Sequence, residues 1–180
     1  MIYSVTEVLG KYQDFSHVPP ERLALAGERG TAVHDACLLK IARGIPALSI
    51  PDECAGYVES FQKWFHSRCE EVIFSEERLV DINLGCSGQV DLFCKDGAAY
   101  FLIDLKTPIT KNKSWRLQLA AYKHLVVKRF PEIPESIIIP ASLRLHPEGK
   151  TPKMDLYTES YLEDFNYFLQ ALNVHRFFNS

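Results

Sequence analysis

No stretch of the 180-residue sequence approaches the roughly 20 consecutive apolar residues that a membrane span requires, and its N-terminus has no basic-then-apolar leader pattern. The expectation is a cytoplasmic protein without a membrane partner. Cysteine is scarce in pattern: Cys37, Cys54, Cys69, Cys86 and Cys94 are odd in number and scattered, with no C-x-x-C pair. That excludes a disulfide framework and a zinc ribbon, and leaves each thiol as a small buried apolar group in a reducing compartment. Repeats, low-complexity tracts and long linkers are also missing, so one domain over 1–180 is expected. Within it, 1–70 reads as a helical part, 71–146 as the strand-rich centre and 147–180 as a hairpin return with a last helix.

Charge is nearly balanced, at 20 Lys and Arg against 23 Asp and Glu, so no global basicity announces a nucleic-acid partner. Acids are absent from one place, however. Between Leu105 and Pro131 the chain carries Lys106, Lys111, Lys113, Arg116, Lys123, Lys128 and Arg129 and no Asp or Glu. Such a zone suits a polyanion, or is simply the solvated face of a helix.

Ser4-Val5-Thr6-Glu7 reads as a capping box opening a short helix that ends near Gly10 or Tyr12. A helix from about Glu21 or Gly30 to Ala42 follows, stopped by Gly44 and Pro46, and Pro51 opens a longer one with Cys54, Val58, Phe61, Phe65, Cys69 and Val72 at helical spacing. Val72–Ile82, Gly88–Cys94 and Ala99–Lys106 read as strands, the last two joined at Asp96-Gly97. A helix over 114–130 and a strand over 136–146 come next, with Pro140 suggesting an edge or bulge. A short strand around Met154–Tyr157 and a helix capped by Ser160 and Glu163 complete the chain. This order predicts an α/β fold with a mixed central sheet flanked by helices.

With Asp96 and Gly97 as a two-residue turn, Asp91 lies opposite Leu102, and Asp91, Asp104 and Lys106 share one face. The other face receives Val90, Leu92, Cys94, Ala99, Phe101, Ile103 and Leu105, all apolar. Asp91 and Asp104 become diagonal neighbours about 7–8 Å apart. Two such carboxylates repel unless a cation lies between them, and Mg2+ or Mn2+ fits oxygen ligands there. Lys106 is placed to steer an attacking water. The alternative is a charged, solvated hairpin face on which Asp91 and Lys106 merely pair.

Three further features bear on this choice. His34 follows Arg29-Gly30 by one turn, where a small residue leaves room for close approach, and a neutral imidazole is a plausible third ligand. Gln118 and Tyr122 lie at i and i+4 on one helix face, to bind a phosphate or brace the metal lysine. Trp115, among Lys111, Lys113 and Arg116, either stacks a base or packs on the core.

Taken together, Arg29–His34, Gly88-Gln89-Val90-Asp91, Ile103-Asp104-Leu105-Lys106-Thr107 and Gln118–Tyr122 resemble the PD-(D/E)XK nuclease superfamily, in its RecB-type and phage-exonuclease branch. The opening residues 4–9 also resemble the start of small phage-encoded members. The resemblance implies a restriction-endonuclease-like αβββαβ core and metal-dependent hydrolysis of single- or double-stranded DNA. The metal would be held by Asp91, Asp104, His34 and the Leu105 backbone carbonyl, with Lys106 as the catalytic lysine. Gln118 and Tyr122 would contact DNA or support the site, and Arg29, Lys111, Lys113, Trp115 and Arg116 would add DNA contacts. Glu76 and Glu77 stand where some members carry an extra acid. The absence of cysteine after Cys94 argues against an iron–sulfur cluster, and without a helicase segment any unwinding would need a partner, such as a helicase or recombination protein. An exonuclease is expected. The rival readings are a site-specific endonuclease and a catalytically inactive DNA-binding module with the same fold.

Overall fold

The computed structural model describes residues 1–14, 16, 18–44, 50–108 and 110–179, without the side chain of Lys40. Gly44 falls within it, whereas the helix stop at Pro46 lies outside the described residues. Strand β1 (Tyr3–Ser4) leads into helix α1 (Val5–Gly10), whose capping box forms as expected: Ser4 Oγ accepts from the Glu7 N–H, and Glu7 reaches back to the Ser4 N–H. Helix α2 (Pro20–Asp35) continues into wider π-helical turns over Ala36–Ala42. A short turn at Asp52–Cys54 opens α3 (Ala55–Arg68), which buries Val58, Phe61 and Trp64. Strands β2 (Glu71–Asp81), β3 (Cys86–Asp96) and β4 (Ala99–Lys106) follow, then α4 (Ser114–Arg129), β5 (Ile138–Arg144), β6 (Lys153–Leu156) and α5 (Tyr161–Asn179).

The six strands form one mixed sheet flanked by helices, as expected. From α3 to β5 the elements run α-β-β-β-α-β. β2, β3 and β4 are antiparallel, β5 is parallel to β4, and β6 returns antiparallel on β5. On one face, Phe93 and Leu102 pack under α1, α4 and α5 with Val8, Tyr122, Leu125, Phe168 and Leu172. On the other, Leu92, Ile103, Leu105 and Leu143 pack against Val33, Leu38, Phe61 and Trp64. Among the described residues no helix is long and apolar enough to cross a membrane. Cys37, Cys54, Cys86 and Cys94 are buried free thiols, and Cys69 is half-buried.

Three expectations change. The hairpin turns at Gly97-Ala98, with Gly97 at φ +60° and Asp96 still paired with Ala99. Asp96 is kept in the strand by an ion pair with Arg68 of α3. The two-residue shift preserves side-chain faces but brings Asp91 level with Asp104 instead of diagonal to it. Second, Val90 packs in the α4-side core while Leu92 and Cys94 pack on the other side, so the strict alternation breaks at Asp91. Glu76, across from that break on β2, has φ +52°. Third, β5 is an interior strand. Pro140 is tolerated because its carbonyl points to β6, accepting from Tyr157 N–H, so its missing N–H also faces that side, just past the last β5–β6 pair at Ala141.

Candidate functional site

One edge of β3 is divided between two partners. Cys86 and Ser87 pair with β1, and Leu92–Asp96 pair with β4. Between these stretches Gly88-Gln89-Val90-Asp91 leave β4, opening a fork. Asp91 sits at its apex, where Oδ2 accepts from the Leu105 N–H at 2.7 Å. The side chain thus replaces the next rung of the ladder and fixes its own position.

His34 of α2 reaches the same point. Its Nε2 is 3.0 Å from the Leu105 carbonyl and its Nδ1 is 3.5 Å from Asp91 Oδ2. A carbonyl only accepts, so Nε2 donates, and in a neutral ring Nδ1 turns a lone pair toward a carboxylate. That contact calls for a proton or a cation between the two.

Asp104 is buried, at 2% exposure. Its Oδ1 accepts from Gln118 Nε2 at 3.2 Å. Its Oδ2 lies 2.6 Å from Lys106 Nζ, yet out of line for a hydrogen bond, so this oxygen keeps ionic contact but no directed partner. Lys106 Nζ instead donates to Gln118 Oε1 at 3.2 Å and sits over the Trp115 ring, 5.4 Å from its centre. One amide therefore holds both the acid and the lysine. Gln118 is in turn fixed by donating to the Tyr122 hydroxyl at 3.0 Å.

These groups line a cavity of about 580 Å³. Its wall on α2 includes Gly30, where an added Cβ would meet nothing within 4 Å. Gly30 leaves open floor in the cavity, and close helix packing does not require it. Burial, followed by the like charge of Asp104, raises the Asp91 pKa, against the lowering influence of His34, Lys106 and the Leu105 N–H. Burial also raises Glu76, with Asp35 and Asp91 adding to the effect. The acids crowd one another, and the cavity favours positive charge.

The donor set suits a hard divalent cation: Asp91 and Asp104 carboxylates, the Leu105 carbonyl and a His34 nitrogen. Neighbouring ligands on a cation at about 2.0–2.1 Å lie roughly 3 Å apart, close to the Asp91–His34 spacing. Among the described residues, no three His, Cys, Asp or Glu side chains form a ready-made metal group. The fit therefore rests on the Leu105 backbone carbonyl beside His34 and on the carboxylates of Asp91 and Asp104.

The other sequence candidates divide. Glu76 lines the cavity, whereas Glu77 faces Arg129 at 3.9 Å. Tyr122 is buried with its ring over Gly88, and it meets the cavity beside Gln118, to which its hydroxyl is bonded. Trp115 is buried beneath Lys106, which leaves no open ring for stacking. Arg29 packs over the Tyr57 ring. Arg116 is bound by the buried Asp164 through both carboxylate oxygens, and Lys111 by the buried Asp155. Lys128 joins Asp81 and Lys123 lies over Tyr161. The acid-free stretch is thus mostly neutralised by acids from elsewhere in the fold. Among the described residues, Lys113 alone of that stretch has no acid or ring partner.

Arg78, Gln89, Asp35 and Thr31 also line the cavity and were missed in the sequence. Arg78 was findable: it follows Glu76 by two residues on the same strand, hence on its face, and pairs in register with Gln89.

Compared by sequence, the chain matches no family model, and no curated protein matches it significantly. Among solved structures, a protein from Eubacterium rectale described as a "Putative exonuclease" superposes with a TM-score of 0.49 at 14% identity. The alignment covers 84% of this chain and 65% of that one, so this chain spans just under two thirds of that neighbour. A likeness this loose carries no functional argument; the site has to supply it.

Proposed function

We propose that the chain is a divalent-metal-dependent nuclease acting on DNA from an end. One observation carries the reading: half-buried Asp91, buried Asp104 and Lys106 meet at a strand fork beside the Leu105 backbone, with Gln118 joining Asp104 to Lys106. Asp104 Oδ2 meets only the Lys106 ammonium, at 2.6 Å, while the like charges of Asp91 and Asp104 leave the cavity favouring a further cation.

On this reading Asp91, Asp104, the Leu105 carbonyl and His34 hold Mg2+ or Mn2+. The ion supplies Lewis acidity toward a phosphate oxygen and offsets the crowded carboxylates. Lys106 Nζ orients the attacking water, with Gln118 fixing the ammonium and Trp115 shielding one side of it. Arg78 provides a cation toward the phosphate. His34 Nε2 and the Leu105 carbonyl, 3.0 Å apart, are spaced as neighbouring ligands of that ion would be.

The test is digestion of end-labelled linear DNA and covalently closed circles with Mg2+ or Mn2+, and with EDTA. Linear DNA should shorten from its ends, circles should survive, and EDTA should stop the reaction. Lys106→Ala should lower the rate on the order of a thousandfold with an unchanged circular dichroism spectrum. Cutting that persists in EDTA or in Lys106→Ala overturns the proposal, and metal-independent DNA binding without cutting points to an inactive binding module. Degraded circles would establish an endonuclease.

A further inference from the structure

We infer that a single-stranded polynucleotide tail leaves the candidate site along a groove over α1, the start of α4 and α5. The inference rests on the nuclease reading and names the substrate form that it acts on. The site cavity adjoins a second one of about 660 Å³, with which it shares Thr6, Lys106 and Gln118. The second adjoins a third of about 450 Å³ through Leu9 and Asn112, and the third a fourth of about 340 Å³ through Tyr12 and Val174. These four cavities follow one another from Lys106 to the outer face of α5, each sharing lining residues with the next.

Its chemistry suits a flexible polyanion carrying flat bases. Two lysines without acidic partners among the described residues, Lys113 and Lys11, line it, while most of the cations on α4 are already paired. Asp14 is the single acid among the described lining residues of these three further cavities. Tyr12 and Tyr167 are exposed at 58% and 49%, and the Tyr167 hydroxyl donates to Glu163, so its ring is available for stacking. Alternating aromatic rings and unneutralised cations bind single strands with little regard to sequence. A rigid duplex has its bases stacked inside and cannot offer them to Tyr12 and Tyr167.

The experiment measures binding of fluorescein-labelled oligo-dT and of a blunt duplex of equal length by anisotropy in EDTA, where catalysis plays no part. Wild-type protein should prefer the single strand. Tyr12→Ala combined with Tyr167→Ala should weaken single-strand binding at least about fivefold, as should Lys11→Glu combined with Lys113→Glu, with duplex affinity nearly unchanged. A strand carrying 5-iodouracil, photocrosslinked to the unmutated protein, should label Tyr12 or Tyr167 and so needs no variant to fold. Equal affinity for strand and duplex, undiminished binding in both variants, or crosslinks confined elsewhere would overturn the inference, as would a groove that proves to take a protein helix. If binding follows these expectations while DNA is never cut, the groove stands and the nuclease reading fails.

Discussion

At the scale of single residues, the centre of the molecule is an amide. Gln118 offers its oxygen to Lys106 and its nitrogen to Asp104 and Tyr122, so no other residue of similar size can serve both charges. Gln118→Glu should lower cleavage by ten- to a hundredfold, because an added carboxylate repels Asp104, and single-turnover rates on linear DNA would show it. Gly88 is constrained from the same side: a Cβ there would lie 2.4 Å from the Tyr122 ring. Gly88→Ala should cost about 1–3 kcal/mol in urea unfolding. Gly30 behaves in the opposite way. Gly30→Ala meets open space within α2 and should raise stability by roughly 0.5–1 kcal/mol. Should it instead weaken metal or DNA binding, the cavity floor is used by substrate.

At the scale of elements, the junction of β2, β3 and α4 is tied by one acid. Asp81 accepts from Leu84 N–H, from His124 and from Lys128, and despite the opposing influence of burial these bonds hold its carboxyl well below the usual range. A depressed carboxyl stabilises the fold fully above its unfolded pKa of about 4, and the contribution is lost as pH falls toward the lower folded value. Asp81→Asn should therefore destabilise by about 2 kcal/mol near pH 6, and the gap from wild type should narrow between pH 4 and 2 in urea melts. The elements themselves were largely legible in the sequence: β4 from Ala99 to Lys106, the Ser4 capping box, and the αβββαβ order all follow from local pattern. The turn residue was not, because Asp96-Gly97 and Gly97-Ala98 both allow a positive φ at Gly97, and the Asp96 side chain that pairs with Arg68 of α3 lies far from it in sequence. The break at Val90–Asp91 was equally hidden, since it arises where β1 and β4 divide one edge of β3, a contact between segments far apart in the chain.

At the scale of the whole molecule, the cavity residues Asp91, Asp104 and Lys106 were readable because a two-residue shift in hairpin register keeps their faces, and His34 because Gly30 stands one turn before it on α2. The DNA-contact candidates were not, because a run of cations says nothing about acids arriving from other elements, as Asp155 and Asp164 do. A ligand that binds only the folded state raises its stability, so Mn2+ at a hundred times its dissociation constant should add about 2.7 kcal/mol, and Asp104→Asn should abolish the gain in thermal melts. The internal pairing of the α4 cations has one more consequence. Counterions are released only by charges that the protein itself leaves bare, and along the cavity and groove these reduce, among the described residues, to Lys11, Lys113 and Arg78. Titrations against oligo-dT at rising potassium chloride should thus give a shallow logarithmic slope of roughly −2, far from the steep ionic-strength dependence that the raw count of lysines and arginines suggests.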